Sequence, residues 1–137
     1  MLRISANLGF LWKELPLTDA VRRAKAAGFD AVEFHWPYDT PAEELKGAVD
    51  ETRLPVVGIN TRMGNPGEVG LACLPGREAE ARATIGEAIA YAKTLGAAYI
   101  SVMGGRPDPA KRPVPPKRRA SWPSSSRSTP TMYQARS

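Results

Sequence analysis

Side chains that can bind a small polar molecule or move a proton recur at the ends of short apolar segments in this chain. Asn7 ends the first segment, Glu33 and His35 alternate along the second, and Asn60 and Arg62 follow the third. Carboxylate and imidazole groups transfer protons, amides bind substrate oxygens, and a guanidinium binds a carboxylate in bidentate fashion. These five residues are therefore the predicted substrate pocket.

Several other kinds of site lack the residues they need. Cys73 and His35 are the only cysteine and the only histidine, so an internal disulfide, a Cys/His zinc site and an HExxH metalloprotease helix are excluded. No G-x-G-x-x-G motif follows the first apolar segment, and the glycines between 64 and 70 lack the spacing of a P-loop. The residues therefore predict no metal ligands and no nucleotide-binding loop.

Alternating apolar runs and amphipathic stretches predict the elements that position the pocket. Strands are predicted at 2–8, 31–36, 55–60 and 99–103. Helices are predicted at 19–27 with Thr18 as N-cap and Gly28 at the end, from Thr40-Pro41 onward, and at about 77–95 before Gly96. The inward stripe predicted for this last helix is Ile85, Ala88, Ile89, Ala92 and Leu95.

Each predicted strand is apolar on one parity and polar on the other. The central strands of a doubly wound sheet are apolar on both faces, whereas a barrel strand has a helix-facing side and a lumen-facing side. The fold class predicted for residues 1–106 is therefore α/β, the first four strands and three helices of a (β/α)8 TIM barrel. The apolar parity comprises Leu2, Ile4, Ala6, Val32, Phe34, Val57, Ile59, Ile100 and Val102, and the lumen parity comprises Ser5, Asn7, Glu33, His35, Gly58, Asn60, Ser101 and Met103.

Residues 107–137 differ from the rest in composition. They hold seven of the chain's 19 Lys and Arg against one acid, and 20 of the 31 residues are Pro, Ser, Lys or Arg. Such a segment cannot bury enough apolar surface to offset the entropy of ordering it. A disordered basic tail is therefore predicted at 107–137.

Charge and hydropathy limit the classes of partner. Residues 1–106 hold 12 basic and 13 acidic side chains, so the net positive charge belongs to the tail and no nucleic-acid partner is predicted. No apolar run approaches the roughly 18 residues that a membrane span needs, and the first twenty residues lack a secretory pattern. We expect no membrane partner and a cytoplasmic location.

Seven stretches of the chain resemble one enzyme family. They are 3–8, 27–34, 37–39, 42–46, 70–78, 90–96 and 102–105, of which Leu-Pro-Gly-Arg-Glu at 74–78 is the most specific. They are similar to the N-terminal half of the hydroxypyruvate isomerases, in the xylose-isomerase-like TIM-barrel superfamily. The resemblance implies an intramolecular oxidoreductase of glyoxylate metabolism. Its substrate would be a small hydroxy-oxo acid, and hydroxypyruvate and tartronate semialdehyde would interconvert through an enediolate.

The resemblance also implies which groups this chain does not hold. Family members run to roughly 250 residues, the usual length of the barrel, and their two catalytic glutamates and divalent metal (Mg²⁺ or Mn²⁺) are expected on later strands. We therefore assign no catalytic residue and no metal ligand here, and interpret the chain as an inactive truncation or frameshift product. Two alternatives stay open: another sugar isomerase or epimerase of the superfamily, or a non-catalytic fragment that associates with another chain through open barrel edges.

Overall fold

The computed structural model describes residues 2–108, in which four strands alternate with three α-helices. The elements are β1 (Ser5–Asn7), α1 (Leu17–Ala26), β2 (Ala31–Phe34), a 3₁₀ helix (Pro37–Asp39), α2 (Ala42–Thr52), β3 (Val56–Asn60), α3 (Glu78–Leu95) and β4 (Tyr99–Ser101). The alternation is the predicted one. The tail predicted at 107–137 lies outside the described residues from residue 109 onward.

The four strands form one parallel sheet in the order β1-β2-β3-β4. Each strand pairs with its neighbour in sequence, so the order does not reverse as it does in a doubly wound sheet. An unreversed order of parallel strands is the arrangement of a (β/α) barrel. The predicted fold class is confirmed.

The helices cover one face of this sheet. α2 packs between α1 and α3, and α3 also contacts β3 and β4. Phe34 and Ile59 from the strands and Leu45 from α2 are at most 1% exposed at the centre of the shared core. Apolar burial therefore fixes which side of each strand faces the helices, and the opposite side carries the polar parity.

The start of the chain differs from the prediction. Strand β1 begins at Ser5, and Leu2 and Ile4 are 85% and 53% exposed although an inward position was predicted for both. The backbone of Ile4 is bound by Asp30, whose carboxylate accepts from its N–H at 2.8 Å. Thr18 does not cap α1, which begins at Leu17 after Pro16 and has no side-chain cap.

A bulge in β3 changes the predicted alternation there. Val32 pairs with Val56 but Phe34 pairs with Ile59, so β3 uses one residue more than β2 over this stretch. Val56 is consequently buried, and Val57, predicted to face the helices, is half-buried. Beyond the bulge, Ile59 and Asn60 have the predicted parity.

The inward face of α3 is rotated from the predicted stripe. Ile89 is 42% exposed and Tyr91 is buried in its place. The Tyr91 hydroxyl lies 2.9 Å from the carbonyl oxygen of Pro37 and 2.6 Å from that of Thr40. Because this phenol can donate to carbonyls of the 3₁₀ segment, the aromatic position faces inward and Ile89 lies on the flank beside β4.

Candidate functional site at the carboxyl ends of the strands

The first two strands end in a hydrogen-bonded pair of predicted pocket residues. Asn7 pairs with Glu33 in the β1–β2 register, and His35 follows two residues later on the same side of β2. The side-chain nitrogen Nδ2 of Asn7 lies 3.0 Å from Nε2 of His35, and Oδ1 of Asn7 accepts from the backbone N–H of Gly9 at 2.9 Å. The structure thus brings Asn7 and His35 together.

Aromatic rings and a glycine hold the imidazole of His35. Its ring makes edge-to-face contacts with Phe10 and Trp36, with centroid distances of 4.6 and 5.0 Å. A Cβ atom built on Gly9 would lie 2.3 Å from Cγ and Nδ1 of His35. The ring therefore occupies space that only a glycine at position 9 leaves open.

A cleft of about 400 Å³ opens between the loops that follow β1 and β2. Gly9, Trp12 and Lys13 line it from the first loop, and His35, Trp36 and Asp39 line it from the second. Its lining is about equally polar and apolar, and the polar side chains are Lys13, His35 and Asp39. The cleft is large enough to admit a molecule of a few carbon atoms.

Glu33 lies deeper on the lumen face, next to an aromatic residue that was not among the predicted pocket residues. The ring of Tyr99 packs against Gly58: a Cβ atom added to Gly58 would lie 2.5 Å from Cε2 of Tyr99. Partial burial, and then the negative charge of Glu33, raise the pKa of the Tyr99 phenol. Glu33, Gly58 and Tyr99 are therefore neighbours on the lumen face, and His35 lies two residues further along the chain than Glu33.

Asn60 joins this region through its backbone. Its N–H donates to the carbonyl oxygen of His35 at 3.0 Å, and its carbonyl accepts from the hydroxyl of Tyr38. Its half-buried side-chain amide has no hydrogen-bond partner among residues 2–108. It stays a candidate for binding a substrate.

The guanidinium of Arg62 is directed toward α3. Its Nε and Nη2 atoms donate to the Glu87 carboxylate at 2.7 and 2.9 Å, and its Cζ lies 4.6 Å from the centroid of the Tyr38 ring. The hydrogen bonds to Glu87 raise the pKa of Arg62. Arg62 is thus not brought together with Asn7 and His35, and a role in binding substrate would require exchanging its carboxylate partner.

A glycine-rich connection, residues 63–76, is fastened across the end of β4. Gly70 and Gly104 form an antiparallel bridge, and the N–H groups of Leu71 and Cys73 donate to the carbonyls of Met103 and Gly104 at 3.0 and 2.7 Å. We call this contact between 70–73 and 103–104 the loop clip. The sequence pattern predicts only an irregular connection here.

Arg77 anchors the far end of the same connection. It donates to Glu68 at 2.7 Å, with both side chains about one quarter exposed, and it also pairs with Glu80. Glu80 and then Glu68 raise the pKa of Arg77, which in turn holds the pKa of the Glu68 carboxyl below its usual value. The arginine of the specific Leu-Pro-Gly-Arg-Glu stretch therefore stabilises the loop.

The described residues do not form a metal centre. No three His, Cys, Asp or Glu side chains converge anywhere in 2–108. A divalent ion, which the family resemblance implies, would need ligands other than those described, so no chemical step is assigned to it.

Among residues 2–108, no helix is long and apolar enough to cross a bilayer.

The sheet order, the one-sided helical layer and the polar strand ends define a chain of the (β/α)-barrel class. Residues 21–127 match the family model described as xylose isomerase-like TIM barrel. This match covers more than half of the chain, so the protein belongs to that family.

Curated relatives carry isomerase names. The chain is 44% identical over 105 residues to the 2-oxo-tetronate isomerase of Haemophilus influenzae, covering 75% of this chain and 41% of the relative. It is 46% identical over 108 residues to the human putative hydroxypyruvate isomerase (77% and 39% covered) and 41% identical over 108 residues to the hydroxypyruvate isomerase of Escherichia coli (77% and 42% covered). The chain therefore spans about two fifths of the length of these relatives.

A solved structure has the same arrangement. The crystal structure of a protein named AP endonuclease, family 2, from Brucella melitensis superposes with a TM-score of 0.73 at 36% identity, covering 77% of this chain and 42% of that one. The likeness supports the barrel fold. It again covers less than half of the other protein.

Proposed function

We propose that this chain forms one half of an isomerase pocket, at the carboxyl ends of its four strands. The substrate is a small hydroxy-oxo acid, hydroxypyruvate. The observation that carries the proposal is the 41–46% identity to relatives named hydroxypyruvate isomerase. The cleft beside His35 supports it, because its mixed lining offers both polar side chains and apolar surface to a small hydroxy-oxo acid.

The reaction moves one proton between neighbouring carbons. Hydroxypyruvate loses a proton from C3, and the electrons form a C2–C3 double bond in an enediolate. The C3 hydroxyl then gives up its proton, the C2 oxygen takes one up, and reprotonation at C2 leaves the aldehyde of tartronate semialdehyde. No oxidant or reductant is consumed. The step needs a base at C3, an acid at C2 and hydrogen-bond donors to the oxygen that gains charge.

The residues of this chain suit the binding part of that task. His35 lines the cleft with Trp12 and Trp36 and is placed to bind a substrate oxygen. Asn60 does not line this cleft, but its amide at the end of the neighbouring strand β3 is a further candidate donor. Lys13 lines the same cleft and has no ion-pair partner among residues 2–108, so it is available to a substrate carboxylate. The proton-transferring glutamates belong, in this proposal, to the part of the relatives that the chain does not match.

A second substrate has support from one comparison. The Haemophilus influenzae relative, 44% identical, is named for 2-oxo-tetronate, an acid one carbon longer than hydroxypyruvate. A nucleic-acid substrate, which the name of the Brucella protein brings to mind, is not proposed. The 12 basic and 13 acidic residues of 1–106 leave this part of the chain without the net positive charge that favours binding to a phosphate backbone.

A chimera tests the proposal. Residues 1–106 are joined to the part of the Escherichia coli hydroxypyruvate isomerase that follows the matched region, and turnover is measured with hydroxypyruvate and with 2-oxo-tetronate. Preferred turnover of hydroxypyruvate supports the assignment. A folded chimera that prefers 2-oxo-tetronate would replace it with the longer acid, and one inactive on both would contradict it.

We further propose a cytoplasmic location, a place in glyoxylate metabolism and self-association through the sheet edges. The single cysteine supports the location, since a chain of this composition does not depend on internal disulfides. The names of the relatives support the metabolic role. Strands β1 and β4 have no further strand beside them among the described residues, which supports self-association.

A further inference from the structure

The orientation of the Asn7 amide is fixed by a backbone donor. The N–H of Gly9 can only donate, so the Asn7 atom 2.9 Å from it must be the carbonyl oxygen Oδ1. The amino group Nδ2 is then the atom that faces His35, at 3.0 Å from Nε2. A chain of two hydrogen bonds therefore runs from Gly9 through Asn7 to the imidazole.

This chain of hydrogen bonds decides which imidazole nitrogen carries the proton. An amide NH₂ group is a donor and has no acceptor capacity, so Nε2 of His35 must accept and therefore be unprotonated. The proton of the neutral ring then resides on Nδ1. A free histidine side chain prefers the opposite tautomer, with the proton on Nε2, so the contact with Asn7 imposes a choice on the ring.

The remaining nitrogen is open to a ligand. Nδ1 of His35 has no hydrogen-bond partner among residues 2–108, and no buried side-chain nitrogen or oxygen in this range lacks one. Nδ1 therefore reaches solvent. It lies on the ring edge against Gly9, and both residues line the cleft.

We infer that Asn7 holds His35 as the neutral Nδ1–H tautomer, and that this N–H donates a hydrogen bond to an oxygen of the hydroxy-oxo acid in the cleft. The inference deepens the proposed function and rests on it for the identity of the ligand. Asn7 is the positioning residue, because it acts through His35. A neutral donor can stabilise a developing enediolate oxygen without itself being a base in the reaction.

The charged groups around the cleft do not determine the tautomer of His35. Lys13 and Asp39 line the cleft with opposite charges, and Glu33 precedes His35 by two residues on the lumen face. None of these three has a hydrogen bond to the imidazole. The tautomer is therefore decided by the amide that contacts the ring.

Nitrogen NMR of the 137-residue chain tests the inference directly. His35 is the only histidine, so a long-range ¹H–¹⁵N spectrum at pH 8, above the ordinary imidazole pKa of about 6.5, reports this ring alone. We expect the Nε2 resonance far downfield, at the chemical shift of an unprotonated nitrogen. The Nδ1 resonance should lie at the chemical shift of a protonated one. The reverse pattern, or the average of a free side chain, would overturn the assignment.

Two substitutions separate the role of Asn7 from a general effect of charge. Asn7→Asp replaces the donor by a carboxylate acceptor, so we expect the nitrogen pattern to invert as Nε2 gains a proton. Asn60→Asp adds the same charge on a neighbouring strand, at a side chain that makes no hydrogen bond to the ring, and the pattern should stay as in the unmodified chain. Inversion in both variants, or in neither, would contradict the role of Asn7.

Addition of hydroxypyruvate tests the ligand half of the inference. We expect the Nδ1 resonance to shift with increasing hydroxypyruvate while Nε2 keeps its unprotonated position. An unchanged Nδ1 at tens of millimolar hydroxypyruvate would overturn the hydrogen bond to the ligand. Because the tautomer is read without catalysis, its failure is distinguishable from failure of the chimera to turn over hydroxypyruvate.

Discussion

At the scale of single residues, the contact between Gly9 and His35 shows how the backbone after one strand shapes a side chain on the next. Asn7 and His35 were predicted to share a pocket because both lie on the lumen parity of adjacent strands. The role of Gly9 was not predicted, although Asn-x-Gly is a common turn in which the Asn side chain binds a backbone N–H two residues later. That local signal is present in the sequence.

Gly9→Ala is expected to displace the His35 ring. The new Cβ would lie 2.3 Å from Cγ and Nδ1 and 2.9 Å from the Cβ of His35, so the ring cannot simply rotate away. We expect a loss of about 1–3 kcal/mol in the free energy of unfolding, the usual range for overpacking, measured by urea denaturation.

Gly47→Ala is the matched control for this substitution. Gly47 lies within α2 and an added Cβ would meet nothing within 4 Å. Alanine there should stabilise the helix by roughly 0.5–1 kcal/mol. Equal effects of the two substitutions would show that the His35 contact is absent.

The half-buried Tyr38 and the buried Tyr91 are expected to titrate late. Burial raises the pKa of each to about 12, and nearby carboxylates add to the effect. Since the unfolded tyrosine pKa is about 10, the folded state retains these protons longer. Their contribution to stability is therefore complete below pH 10 and is lost as the pH rises from about 10 to about 12.

Absorbance of tyrosinate between pH 9 and pH 13 measures this directly. The chain has four tyrosines, and Tyr38→Phe and Tyr91→Phe should each remove part of the late transition. Titration of all four together near pH 10, in a sample that is still folded by circular dichroism, would show that the rings are not buried as described.

At the scale of elements, local signals in the sequence predicted the order and the helix ends best. Gly28 and Gly96 follow α1 and α3 with φ of 86° and 67°, the left-handed conformation that favours glycine. The bulge in β3 was missed, because it depends on the register with β2 and not on the local alternation. The inward side of α3 was missed for a similar reason, since Tyr91 faces carbonyls about 50 residues away in sequence.

For the pocket residues too, local sequence signals predicted some features and contacts between distant elements decided others. Strand parity predicted the side on which Asn7, Glu33 and His35 lie. It could not predict that Arg62 binds Glu87, since that carboxylate is on α3, 25 residues further along the chain. Partners supplied by other elements are set by the fold and leave no local pattern.

Gly70→Ala is expected to release the loop clip. A Cβ at this position would lie 2.3 Å from the backbone carbon and oxygen of Met103, and Gly70 has φ of +125°. We expect the amides of Leu71 and Cys73, which donate across the clip, to exchange with deuterium much faster than in the unmodified chain.

Gly67→Ala provides the comparison. Gly67 also has a positive φ, +89°, but an added Cβ meets nothing within 4 Å. Its backbone strain should lower overall stability slightly while the Leu71 and Cys73 amides stay protected. Loss of protection in both variants would mean that the clip opens through backbone strain in the loop and not through the contact with Met103.

At the scale of the whole molecule, we expect that the 137-residue chain does not isomerise hydroxypyruvate, with or without added Mg²⁺ or Mn²⁺. The described residues hold no group of three metal-ligating side chains, and Glu33 is the only carboxylate on the lumen parity of the four strands. A coupled assay for tartronate semialdehyde measures this. Turnover by a homogeneous sample that is lost in Glu33→Gln would place the catalytic base in this half.

The sheet also leaves apolar surface uncovered at its last strand. Tyr99 and Val102 are 45% and 51% exposed, and Ile89 on the flank of α3 is 42% exposed. In a closed barrel, a further strand and helix would cover such an edge. Among residues 2–108, neither β1 nor β4 has a second neighbouring strand.

Light scattering on purified residues 1–106, beside the 137-residue chain, tests the half-barrel account most directly. We expect both to elute as dimers or larger species at tens of micromolar, because unpaired parallel edges and the apolar surface around Tyr99 favour association. A monomer of 1–106 that unfolds cooperatively, with its molar mass independent of concentration, would contradict the account and indicate a self-sufficient smaller α/β fold.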